Sequence, residues 1–236
     1  EPPGAHNMPG TIRESRGDPE AATESYRQAL TAEPRFEPAL RNLGRLLRHR
    51  EEAQTAVDLF RALHQDNPDH IPTLLELAVS LREASLPHEA VAAFDTALEL
   101  APDQGEALVG KGKALKDADR IQEALQTFSH ALGRRPDDPS LLAQKGKTLL
   151  VAGRFEEAER SLKEAIRVDP EGVPPYYHLA TLRAISLEDE EFHRLCQLGH
   201  DARLSPDARS LAHFTLGDVH NQHRQWDQAF GHWQEG

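Results

Sequence analysis

Small and aromatic side chains recur along this chain at one fixed step. Alanine stands at Ala22, Ala56, Ala90, Ala124 and Ala158, evenly spaced, and an aromatic follows at Tyr26, Phe60, Phe94 and Phe128, with Leu162 continuing that column. A second set, Gly44, Ala78, Gly112, Gly146 and Ala180, keeps the same step among leucines, and proline closes each period at Pro34, Pro68, Pro102, Pro136 and Pro170. Each period therefore predicts two antiparallel helices, A and B. They can cross closely only where a small side chain lets the backbones approach, which accounts for the Gly or Ala of helix A and the Ala of helix B. The aromatic fills the space between neighbouring hairpins. Proline cannot continue a helix from within, so it stops helix B. The aspartate after it in NPDH, APDQ and RPDD is placed to cap the next helix A.

A period of 34 with these columns resembles the tetratricopeptide-repeat (TPR) family. The resemblance implies an all-α fold, a right-handed superhelical solenoid of antiparallel helix pairs, whose usual work is to hold another protein segment. Four full repeats read over 37–70, 71–104, 105–138 and 139–172. Residues 18–33 supply the second helix of an earlier repeat whose first helix is missing or broken by Pro9, so 1–16 is expected to be a partly disordered leader and 17–172 the regular array. Beyond it, 173–209 opens a repeat with VPPYYHLATLRA and then loses the alanine and proline columns, keeping helical apolar spacing through Phe192, Leu195 and Leu198. This reads as a degenerate repeat with an extra helix. A final, truncated hairpin is expected over 210–236, with Leu216, Gly217, Ala229 and Trp233 in repeat positions. A solenoid covers its last apolar face with a polar cap, and none is read here. That end is expected either to pack on another molecule, a second copy of the chain included, or to continue into a longer chain.

In a TPR superhelix the A helices line the concave groove, and helical geometry selects the residues that face it. They are Arg41, Asn42, Arg45 and Arg48 in the first full repeat; Leu75, Val79 and Arg82 in the second; Lys113 and Lys116 in the third; Gln144 and Lys147 in the fourth; and Tyr177 and His178 after it. The groove is expected to be basic toward its N-terminal end and apolar or aromatic further on, and to capture a protein or peptide that carries acidic residues and an apolar anchor. One TPR subclass clamps the C-terminal carboxylate of heat-shock chaperones through Lys, Asn and Arg at set groove positions. Arg41, Arg45, Glu76, Glu106 and Gly110 occupy those places here, so the carboxylate clamp is absent.

Charge and composition narrow the partners. A formal net charge of -12 argues against general nucleic-acid binding, which depends on a basic face that releases counterions. The opening segment EPPGAHNMPGTIRESRGDPE holds no apolar run suited to a signal peptide, and no stretch approaches the roughly 20 apolar residues of a membrane span. The one cysteine, Cys196, allows no intramolecular disulfide, and a cytoplasmic location is expected. Lys111 and Lys145 stand where other repeats have leucine, and their stems are expected to cover apolar surface while the ammonium reaches water.

No catalytic site and no cofactor is expected. Cys196 falls in the apolar stripe of its helix and reads as a small buried hydrophobe. Glu156 with Glu157, and the acidic run at 189–191, sit at helix starts, where carboxylates serve the helix dipole. GKGKAL at Gly110 is a helix, and no strand precedes it to make a phosphate loop. The last third is rich in histidine, and His213, His220 and His223 lie on one helix. They form the weak metal candidate of the sequence, set against ordinary packing.

The C-terminal residues carry a narrower resemblance. His213, Phe214, Leu216, Gly217, Trp226, Ala229, Phe230, Glu235 and Gly236 are similar to the last hairpin of the repeat region in bacterial TPR-sulfotransferase proteins. That resemblance implies an N-terminal recruiting or dimerising arm, with a sulfotransferase domain beyond Gly236 and none of its catalytic motifs within these residues.

Overall fold

The computed structural model of the chain describes residues 3–49 and 52–236, with side chains described over 7–47 and 52–236. Among the described residues there are fourteen helices and no strand, the all-α repeat architecture expected from the periodicity. The chain divides into two compact units, Glu1–Ala124 and Leu125–Gly236, with the division inside one helix, α8 (Ile121–Arg134).

The first unit contains α1 (Pro3–Ser15), α2 (Pro19–Ala32), α3 (Glu37–His49), α4 (Ala53–Asp66), α5 (Ile71–Glu83), α6 (Pro87–Leu100) and α7 (Gly105–Asp117). Each odd-numbered helix packs on the even-numbered helix that follows it in α1–α2, α3–α4 and α5–α6, and neighbouring odd-numbered helices touch along α1–α3, α3–α5 and α5–α7. The alanine and aromatic columns are the core of this stack: Ala22, Tyr26, Ala56, Phe60, Ala90 and Phe94 are buried. The A helices share one ending. Leu86 N–H donates to the Leu81 carbonyl and Arg120 N–H to the Leu115 carbonyl, with Ser85 and Asp119 in the left-handed region between them. These six-to-one bonds satisfy carbonyls that the helix end would leave orphaned.

The segment expected to be a disordered leader is the first helix of the array. Pro9 lies inside α1, and an interior proline removes a helical hydrogen bond at a cost of about 3 kcal/mol. Tertiary packing offsets that cost. Gly10 lies one full period before Gly44 and extends the small-residue column by one repeat. A Cβ added at Gly10 would lie 2.4 Å from the Tyr26 ring, so the two helices meet there with no room for a side chain. The Tyr26 hydroxyl donates to Glu14 of α1 at 3.0 Å, and Arg13 donates to the Ala21 carbonyl at 3.2 Å and also to the Ser25 hydroxyl. Burial, and then the bond to Glu14, push the Tyr26 phenol up to about 12.

The second unit holds α9 (Pro139–Val151), α10 (Phe155–Val168), α11 (Val173–Thr181), α12 (Glu190–Gly199), α13 (Pro206–Gln222) and α14 (Trp226–Glu235). Two hairpins repeat the contact that Gly10 makes with Tyr26: Gly146 meets Leu162 and Gly217 meets Trp233, where an added Cβ would lie 2.7 Å and 2.3 Å from the facing side chain. Helix α11 stops after 9 residues, where α9 before it runs to 13. Its end closes through Ala184 N–H donating to the Leu179 carbonyl, with Arg183 in the left-handed region. Helix α13 begins at Pro206, ahead of the start expected at 210. The Ser205 side chain accepts from Ala208 N–H and Pro206 occupies the first turn, a proline-plus-cap start. A core of Leu162, Val173, Tyr176, Leu179, Phe192, Leu195, Leu216 and Val219 joins α10 to α13. Among the described residues no helix is long and apolar enough to cross a membrane.

Candidate functional site

An open hollow adjoins the A helices in each unit, and named groove residues border both; Ala165 and Asp169, from the end of the B helix before the last A helix of the hollow, also line the second. In the first unit a hollow of about 280 Å³ is lined by Glu37, Leu40, Arg41, Ile71, Leu75, Glu76 and Glu106, drawn from α3, α5 and α7. Arg41 and Asn42 also border a smaller hollow with Glu37 and Pro38. In the second unit a hollow of about 260 Å³ is lined mainly by apolar atoms of Pro139, Ala143, Pro174 and Pro175, with Gln144 on its wall. The prolines stand in the first turns of α9 and α11. A first-turn proline keeps its φ without needing an N–H partner, so these rings wall the hollow without breaking their helices.

Arg41, Arg45, Lys147 and Tyr177 are exposed; Asn42, Val79, Arg82, Lys113, Lys116, Gln144 and His178 are half-buried; Leu75 is buried. The side chain of Arg48 lies outside the described residues. Tyr177 is 37% exposed and packs edge-on to His178 at 5.3 Å. Burial, and secondarily the Lys147 ammonium, push the His178 imidazole below its ordinary value.

The basic character expected toward the N-terminal end of the groove is reduced by ion pairs. Arg45 is tied to Glu14 at 2.6 Å, a partner supplied by the helix read as a leader. Arg82 pairs with Asp117 at 3.2 Å and Lys116 with the same carboxylate at 3.0 Å. Arg41 makes no ion pair among the described residues, and it shares its hollow with Glu37, Glu76 and Glu106. The result is a mixed-charge surface. The Lys111 ammonium, expected to reach water, pairs instead with Asp95 at 2.6 Å.

Sequence spacing grouped His213, His220 and His223 along one helix, and the structure separates them. His223 is exposed at the end of α13. His220 lends its Nδ1 to Gln225 at 2.6 Å and stacks on His232 at 5.2 Å. His213 is buried, with its Nδ1 3.2 Å from His232 Nδ1 and 3.2 Å from Glu235 Oε2. His200 packs on the same ring at 5.3 Å. Burial, and then His220 and His213, push His232 down, while Glu235 pulls it up. The residues that sequence reasoning missed, His200, His232 and Glu235, come from other helices, so no one-helix spacing could have found them. Cys196 is half-buried and burial pushes its thiol up, the opposite of what an activated nucleophile needs.

Comparison with known proteins agrees with this architecture. Solved structures similar in fold include a tetratricopeptide repeat protein from Parabacteroides merdae, 18% identical with a TM-score of 0.67 over 99% of this chain and 91% of its own. PilW, described as a widely conserved type IV pilus biogenesis factor, is 18% identical with a TM-score of 0.67 over 89% and 97%. YrrB, described as a TPR protein with an unusual peptide-binding site, is 21% identical with a TM-score of 0.54 over 72% and 88%. Among curated proteins no significant match to the sequence is found. None of these findings bears on the resemblance of the C-terminal residues to TPR-sulfotransferase proteins. Tetratricopeptide-repeat family models match residues 10–70 and 75–139, and a second such model matches 115–184. The repeating columns, the small-residue contacts inside three of the hairpins and these matches agree, and the chain belongs to the tetratricopeptide-repeat family.

Proposed function

We propose that this chain is a protein-interaction scaffold that holds an extended or helical segment of a partner against its A-helix faces. The observation that carries the reading is the pair of open hollows on those faces, bordered by Arg41 and Leu75 in one unit and Gln144 in the other. Peptide capture in such a groove uses apolar anchors for affinity and a few polar groups for register. Leu75 and Val79 offer the apolar contact in the first unit, and Tyr177 with the proline-lined hollow offers it in the second. Gln144, Lys147 and His178 are the polar groups beside them. The charge on the first-unit face is mixed, so the preferred segment carries both signs: an acidic group for Arg41, and a basic or amide group for Glu37 and Glu106. Repeat scaffolds of this kind generally act without catalysis of their own.

Selection from a displayed random-peptide library, followed by titration of the enriched peptides, tests this. Tyr177→Ala combined with Gln144→Ala is expected to weaken the enriched peptides by about tenfold or more, the effect of removing one anchor worth about 1.4 kcal/mol. Glu156→Ala, on the exposed start of α10, is expected to leave them unchanged. Equal loss in both variants, or no enrichment at all, would remove the groove as the binding site.

A further inference from the structure

We propose that His200, His213 and Glu235, with His232 beside them, form a binding site for a divalent transition-metal cation, with zinc the best chemical fit. The ligand atoms already face one another. His213 Nδ1 lies 3.2 Å from His232 Nδ1 and 3.2 Å from Glu235 Oε2. One ligand atom each from His200, His213 and Glu235 lie within 4.8 Å of one another. Four-coordinate zinc with bonds near 2.0–2.1 Å separates its ligand atoms by about 3.3 Å, so the two short distances match, and the exposed ligands close the remaining gap by side-chain rotation. His200 and Glu235 are exposed and free to make it.

The rest of the cluster is arranged as metal sites are. His213 is the buried member, and its other nitrogen, Nε2, donates to the Gly199 carbonyl at 3.1 Å. That bond assigns the ring proton to Nε2 and leaves the Nδ1 lone pair aimed at the cluster, the usual outer-shell device for a metal-binding histidine. A neutral His213 then sets that lone pair against the Glu235 carboxylate oxygen, two acceptors that repel unless a proton or a cation lies between them. His232 is held from behind by His220, stacked at 5.2 Å with only 12° between the rings, and Phe192 stands edge-on to His220. Three imidazoles and one carboxylate form a nitrogen-rich set that favours zinc, cobalt, nickel or copper over magnesium or calcium. The ligands come from the end of α12, the middle of α13 and the last turn of α14, so one ion would pin three helices together.

The test uses the intact chain stripped of metal with a chelator and titrated with zinc chloride and cobalt chloride at neutral pH. One equivalent is expected to bind, cobalt to show the visible bands of a four-coordinate site, and the melting temperature to rise with added zinc. His200→Asn and Glu235→Gln alter exposed side chains and are expected to leave the circular dichroism unchanged, while each weakens binding by about tenfold or more. The two together are expected to abolish both the cobalt bands and the thermal shift. His223→Asn, just past the helix that carries His213 and outside the cluster, is expected to bind like the parent. No binding, binding undiminished in the double variant, or equal loss in His223→Asn would each overturn the site.

Discussion

Gly10→Ala is the sharpest perturbation of this fold, because the reading of residues 1–16 as a leader and the structure predict different outcomes for it. In an unstructured leader the change is neutral, and in an isolated helix alanine is favoured over glycine by about 1 kcal/mol. In the docked α1 the new Cβ would enter the Tyr26 ring at 2.4 Å. Tyr26 is fully buried and its hydroxyl is tied to Glu14, so the ring has little freedom to withdraw. Overpacking of this kind costs about 1–3 kcal/mol, and displacing the ring also loses a hydrogen bond to a charged group worth about 1.5–3 kcal/mol. After subtracting the helix-propensity gain, the expected net effect is a destabilisation of the α1–α2 hairpin by about 1.5–5 kcal/mol. Repeats of an array open in part independently of one another, so amide hydrogen exchange resolved to α1 and α2 is the suitable measurement. The same variant should lower the Tyr26 phenol from about 12 toward 10, since burial and the Glu14 bond are what raise it. Protection in α1 that is unchanged or increased, with Tyr26 still ionising near 12, would refute the docking.

Three further outcomes follow from the same structure. Gly110→Ala and Gly133→Ala should differ in sign: the first drives a Cβ to 2.2 Å from the Phe94 ring and should destabilise by about 1–2 kcal/mol, while the second meets nothing within 4 Å and should stabilise by up to about 1 kcal/mol, both read by urea denaturation. Phe94→Ala empties a fully buried aromatic position and should cost about 3–5 kcal/mol in the same assay. His70 and His178 are both held below the ordinary histidine value by burial, so the folded state binds fewer protons than the unfolded chain. Their contribution is present in full above about pH 6.5 and is lost as pH falls below it, and a melting temperature that fails to drop more steeply in the parent than in His178→Gln would count against this.

The repeats are legible because each column answers a local steric demand that recurs unchanged in every period. Gly146 must be small wherever Leu162 packs on it, and Pro170 must interrupt helix B wherever the chain turns. Those demands are written into residue identity, so periodicity alone recovers the helix pairs and the face each A helix presents. Pro9 shows the limit. Its local cost reads as a broken helix, and only the distant contacts of Gly10 with Tyr26 and of Glu14 with Arg45 outweigh it. The charge of the groove is misjudged for the same reason: residue type and helical phase give Arg45 its position, but not the Glu14 carboxylate, on the helix read as a leader, that neutralises it.

The histidines mark the division most clearly. Spacing along α13 groups His213 with His220 and His223, because spacing sees only one helix at a time. The tertiary structure sets His213 against His200, His232 and Glu235 from two other helices and turns His220 away to Gln225. The sequence by itself determined a tetratricopeptide array and the residues that face outward on each A helix, since both follow from side-chain type repeated at helical phase. Which charges remain unneutralised on that face, and which imidazoles converge, depended on contacts between residues far apart in the chain, and these only packing decides.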